Sequence, residues 1–182
     1  GAQEVSAETA RLLRDGPPAL WLSSACPAAV RFIVRHMPEL TGRVTPIASP
    51  AMAHAEGIRR GDPGSPVVFI GPCVAKKLEA DRHPDILNLA LTFTELREWW
   101  EREGVDPDAV VPAPADRFFP ERAEEGALYP LAGGMLETLK IAGLGDGASL
   151  FHAGGIREIR AMLNGAESDV PDWPVFVECL AC

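Results

Sequence analysis

Short apolar runs along the chain alternate with longer stretches in which apolar side chains recur every three or four positions. Runs of the first kind suit buried strands, and stretches of the second kind suit amphipathic helices. Read in order, the pattern predicts a helix over 7–14, stopped by Asp15-Gly16-Pro17-Pro18, and a strand over 19–22. A helix over 27–37 follows, then a strand over 44–48 that leads through Ser49-Pro50 into a helix ending near Arg60. The turn cluster GDPGSP introduces Val67-Val68-Phe69-Ile70, whose unbroken apolar character reads as a fully buried strand. A further strand is expected over 87–91, and Thr94 is expected to cap a helix closed by Gly104. Residues 105–127 are rich in proline and charge and read as a long loop excursion of the functional or mobile kind. Gly133-Gly134 precede a helix over 135–142, and the pattern ends with a strand over 149–153, a helix over 155–163 and a strand over 175–178. Alternation of this kind specifies an α/β fold, a mainly parallel β-sheet flanked by helices, in one domain over 1–182.

Composition narrows the functional classes. Seventeen basic residues stand against 26 acidic ones, a net charge of −9, so a nucleic-acid or anionic-membrane surface is not expected. No apolar stretch approaches the roughly 20 residues of a membrane span. The stretch GAQEVSAETARLL lacks the basic flank and apolar segment of a secretory leader, so a cytoplasmic location is the default expectation. Neither a nucleotide-binding glycine fingerprint nor a hydrolase nucleophile motif is present.

Four cysteines carry the candidate chemistry: Cys26, Cys73, Cys179 and Cys182. Disulfides, a metal site and ordinary core thiols are the readings open to them. Disulfides belong to small secreted chains, which this is not. The cysteines follow three strand-like runs, LWLSSAC, VVFIGPC and VFVECLAC. In open parallel sheets ligands bind beyond the carboxyl ends of strands, so thiols placed there can converge on one site. Cys26 precedes Pro27, a residue suited to a first helical turn, and Cys73 has Lys76 and Lys77 within a turn. Helix N-termini and neighbouring cations both favour the thiolate, the form that binds metal. Cys179-x-x-Cys182 has the spacing of a zinc knuckle, but Cys26 and Cys73 are singletons, whereas structural zinc usually takes two such clips. An iron–sulfur cluster accepts ligands gathered from far apart.

The motifs around these cysteines resemble the iron-only (FeFe) hydrogenases, in the large domain that carries the H-cluster. That family's threonine-serine-cysteine-cysteine-proline is similar to Ser23-Ser24-Ala25-Cys26-Pro27. Its proline-cysteine-x-x-lysine-lysine-x-glutamate is matched in full by Pro72 to Glu79. Its third motif, which opens on a glutamate, resembles Glu178-Cys179-Leu180-Ala181-Cys182. Between them, MPEL, ASPAM, LTFTEL and LAGGMLETL resemble linking segments of the same domain. The resemblance implies a 4Fe–4S cluster joined to a di-iron unit, with Cys26, Cys73 and Cys182 as three ligands and a fourth beyond Cys182. It implies that Lys76 donates to a cyanide ligand and that Glu79 serves a proton path. It also implies dihydrogen and protons as reactants, and a ferredoxin or an iron–sulfur electron-transfer domain as partner. The chain is then a central fragment of its domain, inactive by itself.

Departures from the motifs shape the expected activity. Ala25 stands where catalytic members keep a proton-carrying thiol, and Gly71 and Leu180 stand where methionines pack. General acid–base transfer contributes on the order of 10²–10⁴ in rate, so Ala25 predicts weak turnover. The pattern resembles the divergent branch in which such domains are fused to signalling domains, and there the expected role is hydrogen or redox sensing. The alternatives are an iron–sulfur scaffold like the nuclear-prelamin-recognition proteins and a zinc-stabilised interaction module. Cys179 is read as a spare thiol or a tuning residue. His36, His54, His83 and His152 are read as surface or capping residues, and Asp116, Glu121, Glu124 and Glu125 as a solvated acidic face.

Overall fold

A computed structural model describes residues 1–114, 116, 118, 124–166 and 171–182. Of the expected acidic face, Glu121 lies outside the described residues. The chain divides into two compact units, Gly1–Gly57 with Glu125–Cys182, and Ile58–Glu124.

The first unit is built on three parallel strands, β1 (Leu20–Leu22), β4 (Ser149–Gly154) and β5 (Val175–Leu180), in the order β1-β5-β4. Being central, β5 needs apolar side chains on both faces. Val177 and Cys179 point to one face, where Ala29 and Ile33 of α2 (Pro27–His36) and Ile159 and Leu163 of α7 (Ile156–Leu163) close a core. Phe176 points to the other, against Val5, Ala10 and Leu13 of α1 (Ala2–Asp15) and Met135 and Leu139 of α6 (Gly134–Ile141). Fully burying a side chain such as Phe176 contributes about 1.5–3 kcal/mol, which is why the sheet is sandwiched rather than open. Glu178 shares the facing of Phe176 by strand alternation and is 1% exposed, a carboxylate at a core position.

The second unit holds β2 (Val68–Ile70) and β3 (Leu89–Leu91), a parallel pair, with α4 (Ala75–Arg82) and α5 (Phe93–Glu103) packed against β3. Asn88 sets their register: its amide oxygen accepts from the Val67 N–H at 2.7 Å and from the Arg59 guanidinium at 2.6 Å. Val67-Val68-Phe69-Ile70 is not the fully buried strand expected. Val68 and Ile70 are 42% and 44% exposed, because the described helices of this unit cover the face of Phe69 and Ala90 and leave the other bare.

Several boundaries differ from the sequence pattern. The expected strand over 44–48 is a single bridge from Val44 to Leu22, since Pro46 has no N–H for a ladder and the Thr45 hydroxyl is taken by Ser24. Helix α5 is capped by Thr92, not Thr94. The Thr92 hydroxyl accepts from the Glu95 N–H, and the Glu95 carboxylate accepts from the Thr92 N–H, a complete capping box that Thr94 lacks a partner to make. The long excursion contains two short 3-10 turns, Pro107–Ala109 and Glu124–Leu128, among its described residues. The remaining helix, α3 (Pro50–Gly61), runs where proline at its start and the turn after Gly61 predict it. No helix among the described residues is long and apolar enough to cross a membrane.

Candidate functional site

Two turns present the cysteines of the first and second motifs, and each is fixed by local hydrogen bonds. Beyond β1 the Ser23 N–H still bonds the Val177 carbonyl at 2.9 Å, so pairing with β5 continues one residue past the strand. The Ser23 hydroxyl then accepts from the Ala25 N–H at 3.2 Å, and the Ser24 hydroxyl donates to the Ile47 carbonyl at 2.6 Å. That turn delivers Cys26 as the N-cap of α2, with Pro27 in the first helical turn and no side-chain cap bond of its own. Cys26 is 9% exposed and packs in the same core as Cys179.

In the second unit the Gly71 N–H extends the β2–β3 ladder to the Leu91 carbonyl at 3.0 Å. Pro72 ends the ladder, and Cys73 begins the turn into α4, its carbonyl accepting from the Lys76 N–H at 3.2 Å. The Cys73 thiol is half-buried.

The sequence places two cations within a turn of Cys73, and in the structure each pairs with a carboxylate. The Lys76 ammonium is 2.5 Å from a Glu79 carboxylate oxygen, with both side chains largely buried, at 10% and 15% exposure. Lys77 pairs with Glu95 of α5. A largely buried ammonium must find a carboxylate, and the three-residue spacing on α4 puts Glu79 in reach. The resemblance assigned Lys76 and Glu79 separate tasks, and here they form one hydrogen-bonded pair.

The Lys77 ammonium, with the Thr92 backbone and hydroxyl donors, holds the Glu95 carboxyl down at about 2, against an ordinary 4.5. A depressed carboxyl pKa adds stability above the ordinary value and loses it as pH falls toward the folded one. The stability advantage of the native protein over Glu95→Gln is therefore expected to be constant above pH 4.5 and to vanish as pH approaches 2. Urea midpoints taken at pH steps check this, and an advantage that does not change with pH would refute it.

Cys179 and Cys182 part company despite their spacing. Cys179 lies within β5, fully buried, and burial first, then Cys26 and Glu178, push its thiol up to about 12. It is a neutral core thiol at ordinary pH. Cys182 is exposed, two residues past the strand. Cys26 follows β1 and Cys179 and Cys182 lie within and just after β5, strands of the three-stranded sheet, whereas Cys73 follows β2 of the two-stranded one. Among the described residues no three histidine, cysteine, aspartate or glutamate side chains are grouped to hold a metal ion. All four cysteines are free of disulfides.

One pairing had no sequence signal. His152, expected as a surface or capping residue, lies in β4 directly opposite Glu178, and its Nδ1 is 2.9 Å from the buried carboxylate. The other carboxylate oxygen accepts from the Met135 N–H at the start of α6, at 3.1 Å. Strand register alone brings these residues together.

Two parallel sheets, helices on their faces and cysteines in the turns after β1 and β2 define a parallel α/β domain with thiols at its strand ends. The chain belongs to the family of the iron-only hydrogenase large subunit, C-terminal domain, which it matches over residues 2–182. Among solved structures, a variant of the FeFe-hydrogenase HydA1 from Chlamydomonas reinhardtii superposes with a TM-score of 0.64 at 18% identity, covering 100% of this chain and 64% of that one. A second HydA1 variant from the same organism gives 0.61 at 17%, over 100% and 64%. A HydA structure describing stepwise assembly of the H-cluster gives 0.60 at 18%, over 100% and 63%. At these identities the likeness is one of fold. The chain spans less than two thirds of the length of the structures it matches.

Proposed function

We propose that this chain is the cluster-binding part of an FeFe-hydrogenase-like protein, with Cys26, Cys73 and Cys182 as thiolate ligands of a 4Fe–4S cubane. The carrying observation is the second motif: Pro72 to Glu79 matches in full, and it lies in the turn and helix after a parallel strand. The donors fit the group in kind, being reduced thiols, the soft ligands that iron–sulfur clusters take. When bound, the cubane carries electrons and an attached di-iron unit activates dihydrogen.

The chain's own residues handle protons and position. Lys76, three residues beyond Cys73, donates a hydrogen bond to the Glu79 carboxylate and so positions it. Ala25, in the turn fixed by Ser23, has no proton to give, which lowers turnover and suits a protein that senses hydrogen or redox state rather than one that processes it. A cytoplasmic protein, a ferredoxin or iron–sulfur electron partner, and a fused signalling domain complete the proposal.

The test is iron, sulfide and zinc analysis of protein reconstituted anaerobically. Iron and sulfide bound in equal amounts, with zinc absent, is the expected result. Zinc in place of iron, or no metal, would overturn the reading.

A further inference from the structure

A buried carboxylate on a central strand is costly unless something compensates it. Glu178 is 1% exposed, and its two oxygens are both engaged, one by the Met135 N–H at 3.1 Å and one by His152 Nδ1 at 2.9 Å. Anchoring one nitrogen of an imidazole on a carboxylate fixes the ring and leaves the other nitrogen as a site that gives and takes protons. The His152 side chain is 25% exposed, so that second nitrogen lies between interior and solvent.

What stands beyond it is a third titratable group. Gly154 follows two residues later in β4, and its N–H bonds the Glu158 carboxylate of α7 at 2.7 Å. A methyl placed on Gly154 would meet His152 Nε2 at 3.1 Å and that same Glu158 oxygen at 3.4 Å. Nε2 and the exposed Glu158 carboxylate therefore flank one gap, kept open by the absence of a side chain at Gly154. Carboxylate, imidazole and carboxylate stand in series from core to surface at the carboxyl end of the sheet.

We propose that Glu178, His152 and Glu158 form a proton line from the surface to the interior of the first unit, with His152 as the shuttle. Glu158 passes a solvent proton to Nε2, directly or through a water in the gap. The imidazolium then gives its Nδ1 proton to the Glu178 carboxylate, which becomes a neutral acid, and the ring is left neutral with its proton on Nε2. The reverse sequence returns the proton, so charge and protons balance without any other reactant. The groups facing the line are Glu178 from β5, Glu158 from α7, the Met135 N–H from α6, Tyr129, whose buried phenol is pushed up by burial and stays protonated, and the neutral Cys179 thiol. Glu178 lies four residues before Cys182, so the line ends on the strand that carries a proposed cluster ligand. Its use in dihydrogen chemistry rests on the reading above; the line itself does not. It would supply a route that does not pass through Ala25.

The test is nitrogen-15 NMR of the His152 ring in the metal-free full chain, with no activity measured. The expected neutral form carries its proton on Nδ1, and Glu178→Gln shifts the ring toward the Nε2 form. Glu158→Gln and Gly154→Ala are each expected to slow exchange of the ring protons with water by roughly 10-fold or more, the low end of what a positioned acid–base group contributes. Glu158 lies on α7, outside the His152–Glu178 pair, so a merely structural pairing would leave exchange unchanged in Glu158→Gln, whereas Gly154→Ala also crowds Nε2 directly. Exchange indifferent to both, or a wild-type ring with its proton on Nε2, would overturn the proposal. NMR behaviour as expected, in a protein that takes up no iron, would overturn the cluster reading and leave the proton line standing.

Discussion

Replacing Cys73 by serine is expected to remove at least about nine tenths of the iron that the reconstituted protein binds, with the fold kept. Even the outer partners of metal ligands are worth 10–100-fold in affinity, and a ligand is worth no less. The substitution changes one atom in a half-buried turn whose bonds are made by backbone, so the β2–β3 pair and α4 have no reason to move. Cys26→Ser gives a sharper version of the same argument. Cys26 is the N-cap of α2 and makes no side-chain cap bond, whereas serine is among the preferred capping residues. A purely structural cysteine replaced in this way would leave the helix as well capped or better, and a ligand cysteine would take the iron with it. Cys179→Ser is the control: it buries a hydroxyl in the core beside Cys26, costs about 1–3 kcal/mol, and leaves iron content unchanged. Full iron in Cys73→Ser and Cys26→Ser would remove both from the ligand set.

Gly134→Ala is expected to be the most destabilising single-methyl change in the first unit. A Cβ at Gly134 would stand 1.8 Å from the Leu128 carbonyl oxygen and 2.6 Å from its carbon, both backbone atoms that no rotamer change can relieve. Relief requires the 3-10 turn at Glu124–Leu128 to lift from the start of α6. That movement pulls on the next residue, Met135, whose N–H holds Glu178. A cost of about 3 kcal/mol lies in the tail of single-substitution effects and matches a backbone clash joined to a loosened buried carboxylate. In a chain of this size it lowers Tm by roughly 6–12 °C. Gly133→Ala meets nothing within 4 Å and carries only the cost of its φ of 75°, about 1–2 kcal/mol. Thermal melts of the two variants check the contrast, and equal melting temperatures would refute the steric account.

Much of the architecture is legible as pattern because each element solves a local problem. Val175 to Cys179 is apolar at nearly every position because β5 is covered on both faces, and the helices show their one-sided periodicity for the complementary reason. Thr92 and Thr94 are both plausible caps in one dimension, and the choice between them is made by which has a glutamate three residues on. Thr92 has Glu95 there, and this too is written in the sequence. The exposure of Val68 and Ile70 is not, since an apolar run says that a strand is able to be covered and not that this unit covers it.

The candidate site divides along the same line. Cys26, Cys73 and Cys182, and the Lys76–Glu79 spacing, are fixed by short motifs, because turn and helix geometry over a few residues depends on those residues alone. The fates of the charges are tertiary. Lys77 of α4 is paired with Glu95 of α5, a partner 18 residues on that its own helix does not specify. Cys179 and Cys182 share a motif, yet the first is sealed in a core and the second is exposed, since strand pairing carries through Leu180 and then stops. His152 and Glu178, 26 residues apart, meet because parallel pairing sets Ser149 opposite Val175 and every later pair follows in step. By itself the sequence determined the elements, the fold class and the family motifs, all of them products of interactions within a turn or two of chain. Which charges pair and which thiols are buried depend on how helices and strands pack, and the meeting of His152 with Glu178 depends on the register between strands, which exists only once the sheet has formed.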